Sequence, residues 1–418
     1  MQRGYRYRIY PTEAQKELLA KHFGCVRFVY NWALDTKSRA WKEEQKSISS
    51  IELINRISSD LKLQYEWLSD VNSQSIQYAV RNMDAAYQNF FKGHAKFPNF
   101  KKKFGVQTCH FPQGNKADFH RGLLEIMKFR GKNAIRCKFH RRFNGILKRV
   151  TITKECDGRY YATLLVEDSF TPMPKKPVLR DSAIGIDTGL THFAVLSTGE
   201  KIASPKLSKN ESLRLARLQR SLSRKKKGSS NYGKAKLRIA RLHSKVAHRR
   251  SNFLHNLTYR LTHENQVSCI CVEDLNIKGM MKNHRLAYSI VDAGLGEFYR
   301  QLAYKCEWYG VNLRVIERFA PSSKLCHRCG HRMVKMPLHI RRWTCPECGA
   351  SHDRDINAAI NIKELGLTAL PVQRGEVKPV KKPTVDDRAT QRLRSDAPMK
   401  QEKSGKAIFQ AAQSLVER

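Results

Sequence analysis

The chain is 418 residues long, more than one hydrophobic core usually organises, so two or three domains are expected. Its 78 Lys and Arg against 37 Asp and Glu leave a formal charge of +41, which points to nucleic acid, since each phosphate neutralised releases condensed counterions; an anionic membrane surface is the alternative. No run of about 18 apolar residues is present to span a bilayer, and MQRGYRYRIYP lacks the apolar stretch of a signal peptide, so a cytoplasmic protein is expected.

Basic residues alternate with Tyr5, Tyr7 and Ile9, the period of a short strand closed by Pro11, and Thr12 is placed to cap a helix. Apolar residues at three-and-four spacing then run to about residue 92 (Leu19 and Phe23; Val26, Val29 and Trp32; Leu53 and Ile57; Ile76, Val80, Met83 and Tyr87), which predicts a module of about four helices. HAKFPNFKKKFG, residues 94–105, interleaves aromatics with lysines, including Lys101, Lys102 and Lys103. It reads equally as a solvated linker or as a phosphate-gripping loop with stacking rings. Short alternating runs between Gly and Asn turns make residues 107–168 a small antiparallel barrel or sandwich. The proline-rich stretch 171–181 marks the main domain boundary.

SAIGIDTGLTHFAVLS then reads as two strands joined by a tight turn, and residues 206–262 as a long helical pair turning at Gly228 to Asn231. Between residues 211 and 250 fourteen Lys or Arg accompany a single acid, Glu211. Solvated faces usually mix signs, so this is read as a phosphate-tracking surface, with Arg224, Lys225, Lys226 and Lys227 at its turn. VSCICVEDL returns to a buried strand, SIVDAGLGEFYRQLAYKCEWYG forms an amphipathic helix and VNLRVIERF another strand, the order of an α/β domain. Beyond residue 366 charge without apolar periodicity predicts disorder, with a short helix around Ile408 to Leu415.

Two constellations carry chemistry. Cys326 and Cys329 in CHRCG and Cys345 and Cys348 in CPECG supply four thiolates that can close tetrahedrally around a structural Zn²⁺; a redox pair or disulfides are the alternatives. The other seven cysteines (Cys25, Cys109, Cys137, Cys156, Cys269, Cys271, Cys306) are expected as buried thiols. Asp187 and Glu273 end predicted strands and Asp355 begins a helix. Each acid alone is more often a cap or turn residue. Three together offer the hard oxygen ligands that hydrolysis of phosphodiesters with two Mg²⁺ ions requires.

GIDTGL, VEDLN, SSKLCHRCG with WTCPECG, and HDRDINAAINI, in this order, resemble the split RuvC motifs and embedded zinc ribbon of the TnpB family, RNA-guided nucleases of insertion sequences related to type V CRISPR effectors. The resemblance spans roughly residues 3–366 and implies an RNase H-like (RuvC) nuclease domain over 171–366, with the basic hairpin 206–262 and a zinc ribbon at 321–350. It also implies a wedge-like β-barrel from residues 1–10 and 101–170, and a helical recognition module over 11–100. Asp187, Glu273 and Asp355 would be the Mg²⁺-binding catalytic triad, with Asp353 as the alternative to Asp355. Gln77 matches a motif-contacting position, and Ser73 falls where a relative has lysine. A monomer bound to a guide RNA would cleave double-stranded DNA beside a short motif, base pairing reading sequence while the protein reads shape. A strand-transfer transposase and an RNA-guided repressor are the competing readings; retention of all three acids speaks against the repressor.

Overall fold

The computed structural model describes residues 1–337 and 339–368, for Ser208 the backbone alone. The tail expected to be disordered and the helix around Ile408 lie outside the described residues, apart from 367 and 368, which continue a helix. Two compact units part between Phe170 and Thr171, at the start of the proline-rich stretch.

In the first unit, β1 (Gln2–Tyr10) leads into α1 (Glu13–Glu44). Thr12 caps α1 as a capping box: its hydroxyl accepts from Gln15 N, and the Gln15 side chain accepts from Thr12 N. α1 is one helix of 32 residues that absorbs the first two apolar groups, because no glycine, proline or cap interrupts them strongly enough. α2 (Ser50–Arg56) passes through a π turn at Ile57–Leu61 into the short α3 (Lys62–Gln64), and after a 3₁₀ turn comes α4 (Ser73–Phe91).

Six further strands follow: β2 (Gln107–Phe111), β3 (Lys116–Asp118), β4 (Leu123–Glu125), β5 (Ile135–Lys138), β6 (Ile146–Lys154) and β7 (Tyr160–Glu167). They join β1 in one antiparallel sheet of order β2-β6-β7-β1-β5-β4-β3. Its end strands β2 and β3 are not paired to each other, so the pairing is that of an open sheet rather than a closed barrel. Tyr5, Tyr7 and Ile9 point from β1 into a core shared with Leu19, Val29, Ile76 and Met83 of the helices, so sheet and helices bury one another. The lysine-aromatic loop is pinned rather than free. Lys101 N donates to Asn31 Oδ1 (2.8 Å), Asn31 Nδ2 returns a bond to Lys101 O (3.0 Å), and Gln107 Nε2 donates to Lys103 O (2.8 Å).

In the second unit, β8 (Ala183–Thr188), β9 (His192–Leu196) and β10 (Lys201–Ala203) form a meander. The basic hairpin, α5 (Leu207–Ser223) and α6 (Ser230–Tyr259), follows, with Ser229 capping α6 through Tyr232 N. Then come β11 (Cys269–Glu273), α7 (Ile277–Met280), α8 (His284–Ala293), α9 (Leu295–Trp308), β12 (Asn312–Ile316), β13 (Arg342–Thr344), β14 (Ser351–Asp353) and α10 (Arg354–Thr368). The expected single helix 289–310 is two, broken at Gly294, whose φ of 71° ends α8 in the left-handed region.

The sheet order is β10-β9-β8-β11-β12, with β11 parallel to both β8 and β12. Strand period 2 sorts its two faces. Ile184, Ile186, Ile270 and Val272 pack with Leu254, Phe298 and Leu302 of α6 and α9. Ala183, Cys269 and Cys271 pack with Ile362 of α10. The stretch 171–181 is docked, not a free connector: Met173 N donates to Trp308 O (3.0 Å), Lys176 N to Gly310 O (2.9 Å) and Lys175 Nζ to Val311 O (2.8 Å). Among the seven non-ribbon cysteines six are buried as expected, whereas Cys156, beside a turn, is exposed.

Candidate active site

The faces of the second sheet determine where its acids go. Asp187 shares a face with Ala183 and Gly185, and Glu273 with Cys269 and Cys271, so both fall on the side covered by α10. Ile186 and Val272 are register partners on adjacent parallel strands, which places Asp187 and Glu273 next to each other one residue further on. α10 lies close because Gly185 has no side chain: a Cβ there would run into Ala359 O and come within 2.6 Å of Lys363 N. At the other end of the helix a Cβ on Gly366 would meet Cys271 Sγ at 2.5 Å. One turn back from Ala359 along α10 is about 6 Å, and two residues forward from Gly185 along β8 about 6.6 Å, which brings Asp355 to the level of Asp187.

The electrostatics agree with that geometry. Burial, then the charges of Glu273 and Asp355, push the Asp187 carboxyl up to about 7, against the opposing pull of Arg354 and Arg341. All three side chains remain half-buried, so a small ion or water can reach them. Such mutually repelling hard oxygen donors suit a hard divalent cation. The trio is looser than a closed cage: among the described residues, the only three or more His, Cys, Asp or Glu ligand atoms within 4.8 Å of one another are the cysteine sulfurs.

Asp353 has a different occupation. Its Oδ1 accepts from Asp355 N and Ile356 N (both 3.2 Å), capping α10, and its Oδ2 pairs with Lys201 Nζ at 2.6 Å. The hydrogen bonds and the Lys201 charge, outweighing burial, hold Asp353 below the ordinary carboxylate range. Asp355 is joined instead by Arg341 Nη1 at 3.2 Å. Glu273 Oε1 accepts from Ser322 Oγ at 2.5 Å.

Cys326, Cys329, Cys345 and Cys348 converge, with Sγ pairs at 3.7 Å (Cys326 and Cys348) and 3.6 Å (Cys329 and Cys345). Both knuckles close through backbone bonds, Gly330 N to Cys326 O and Gly349 N to Cys345 O. Burial would raise the Cys345 thiol, yet the N–H groups of Cys348 and Glu347 and the neighbouring Cys329 bring it down to about 6. Four sulfurs converging in this way fit Zn²⁺, and no disulfide joins these residues. His352 Nε2 lies 3.1 Å from Cys326 Sγ, one residue before the Asp353 cap, so the ribbon is tied to the start of α10.

The other predicted contacts are dispersed. Ser73 and Gln77 share a face of α4, with Ser73 exposed and hydrogen-bonded by Lys62 Nζ. Lys101 Nζ sits 4.0 Å over the Tyr30 ring, while Lys102 and Lys103 are exposed. Arg224, Lys226 and Lys227 are exposed at the hairpin turn and Lys225 is half-buried. Glu211 on α5 forms an ion pair with Arg214 and accepts from Lys245 and Arg249 of α6, which ties the two arms together, and Arg250 pairs with Asp292 of α8 at 2.9 Å. Sequence reading missed Ser322, Arg341, Lys201, Asn357 and Asn361. The two asparagines four apart on an otherwise apolar helix face were the available signal.

Comparison with known proteins narrows the class first. Residues 163–284 match the OrfB IS605 family model, described as "Probable transposase", residues 296–362 a Cas12f1-like TNB domain, and residues 1–46 a helix-turn-helix domain. Over that last stretch the fold is one strand and one long helix. The chain belongs to the TnpB family. A Streptomyces pristinaespiralis protein, provisionally named an RNA-guided DNA endonuclease, is 40% identical over 370 residues, 88% of this chain and 90% of the relative. InsQ of Escherichia coli K12, similarly named, is 31% identical over 382 residues, 88% and 92% of the two chains. Cas12f1 in a complex with sgRNA and target DNA has the same fold, with a TM-score of 0.52 at 15% identity over 84% of this chain and 83% of that one.

Proposed function

We propose that this protein is an RNA-guided DNA endonuclease whose second unit is an RNase H-like (RuvC) nuclease domain and whose acid site is Asp187, Glu273 and Asp355. The observation that carries the reading is the convergence of these acids on one face of a split sheet, with Asp187 feeling the charge of the other two. The capping of α10 by Asp353 and its pairing with Lys201 support Asp355 as the third acid. Two Mg²⁺ ions held by the trio would activate water and stabilise the leaving oxygen. The chain's own part is to hold the three carboxylates converging in a half-buried recess. Zn²⁺ on the four cysteines holds the ribbon.

The basic hairpin, exposed at Arg224, Lys226 and Lys227, tracks the backbone of the guide–target duplex, and the first unit, through Ser73 and Gln77 on α4, reads a short flanking motif. One protein chain works with one guide RNA. The named activity of its relatives supports the same reading. The test is to co-express the protein with its flanking RNA and offer plasmids carrying the guide match beside a randomised flank, with Mg²⁺. Both strands are cut behind one motif, and Asp187→Ala and Asp355→Ala abolish cutting while Asp353→Asn retains it. Intact plasmid, or joined rather than hydrolysed ends, overturns the reading.

A further inference from the structure

Ser322 is buried on the path from β12 into the first zinc knuckle, and every polar group it carries is engaged. Its Oγ donates to Glu273 Oε1 at 2.5 Å, its carbonyl accepts from Asn361 Nδ2 at 2.7 Å, and its N–H donates to Ala320 O at 2.8 Å. Asn361 Nδ2 also reaches Leu325 O (2.6 Å). One turn earlier Asn357 Nδ2 donates to Leu325 O (2.8 Å) and its Oδ1 accepts from His327 N (3.1 Å). Both asparagines are almost sealed, 1% and 3% exposed, on a helix face otherwise made of Ala358, Ala359 and Ile362. Buried amides are costly unless fully bonded. Here they are spent on holding one stretch of backbone, residues 322–327, against α10.

That stretch joins two sites. At its far end is Cys326, a ribbon thiol, and at its near end the Ser322 hydroxyl, which ties one oxygen of Glu273. A carboxylate with one oxygen fixed by an immobile donor loses rotational freedom and leaves its other oxygen for a cation. We propose that Ser322 is a positioning residue that orients Glu273 for divalent-cation binding, and that Asn357 and Asn361 set Ser322 from α10, the helix that also carries Asp355. The proposal rests on the metal-dependent reading above. Partners that orient a metal ligand are worth about tenfold or more in metal affinity.

The test uses the full chain with its guide RNA and follows Mn²⁺ binding by the loss of the free-ion EPR signal, alongside the Mg²⁺ dependence of cleavage. Ser322→Ala should raise the half-saturating Mn²⁺ concentration about tenfold with zinc content and target binding unchanged, and Ser322→Thr should stay within about twofold of wild type. Thr and Val at 322 have one shape and differ in the hydroxyl, so a tenfold gap between Ser322→Thr and Ser322→Val tests the bond even where added bulk perturbs packing. In a Glu273→Gln background Ser322→Ala should add nothing, because it acts through that carboxylate. Equal Mn²⁺ affinity in the Thr and Val variants, or multiplicative effects of S322A and E273Q, overturns the proposal while leaving metal-dependent cleavage standing. Wild type that binds no Mn²⁺ in an Asp187-dependent way overturns both.

Discussion

Asp187 is where burial and charge oppose function most directly. Its carboxyl is raised from the ordinary carboxylate range to about 7 by burial and by Glu273 and Asp355. The folded state therefore binds this proton more tightly than the unfolded chain, and the site costs stability progressively as pH rises from about 4 to about 7. Without added divalent cation the protein should melt lower at pH 8 than at pH 5, and Asp187→Asn should remove much of that difference in calorimetric scans. Mg²⁺ should raise the wild-type melting temperature at pH 8 and leave that of Asp187→Asn nearly unmoved. The three proposed acids could be picked out in the sequence because each closes a strand or opens a helix. In the sequence Asp355 is put ahead of Asp353 by the resemblance alone; that Asp353 turns back to cap its own helix could not be read there.

α10 and the ribbon show what an element adds to its residues. The helix is admitted by Gly185 and Gly366, its C-terminal carbonyls of Gly366 and Leu367 accept from Arg314 (2.8 and 3.1 Å), and its first turn is joined to the ribbon through β14. Gly185→Ala would place a methyl against the backbone of Ala359 and Lys363, which cannot give way locally. A loss of about 3 kcal/mol in denaturant unfolding of the second unit is expected, with cleavage lost in parallel. Cys345→Ser should lower the bound zinc from about one per chain, measured by atomic emission, and abolish cleavage while guide-RNA binding persists. The four cysteines announced themselves by spacing. The tie from His352 to Cys326 and the grip of Asn357 and Asn361 did not, because they join residues separated by 26 to 39 positions.

For the molecule as a whole, the +41 charge is not spread evenly in its use. Along the hairpin Arg214, Lys245, Arg249 and Arg250 are engaged with Glu211 and Asp292, whereas Arg224, Lys226 and Lys227 stand exposed at the turn. Neutralising those three together should lower the slope of log affinity against log salt by about 2 to 3 on duplex nucleic acid. Truncating Arg250 should act mainly on stability. The sequence pattern sufficed to find the hairpin and its charge excess. It could not say which cations were already committed, since the partner acids lie on other turns and helices. Strand assignments in the first half were legible too, but their order in the sheet was not, because alternation identifies a strand without naming its neighbours.

That order has a bearing on how the protein is made. β1 lies in the middle of its sheet, paired with β7 on one side and β5 on the other. The ribosome delivers β1 long before either neighbour, so Tyr5, Tyr7 and Ile9 must wait exposed while the helices and the rest of the sheet are translated. Pairings so distant along the chain make for slow, late closure. A nascent chain stopped short of β7 should leave β1 open to protease, and protection should arrive abruptly once that strand clears the exit tunnel.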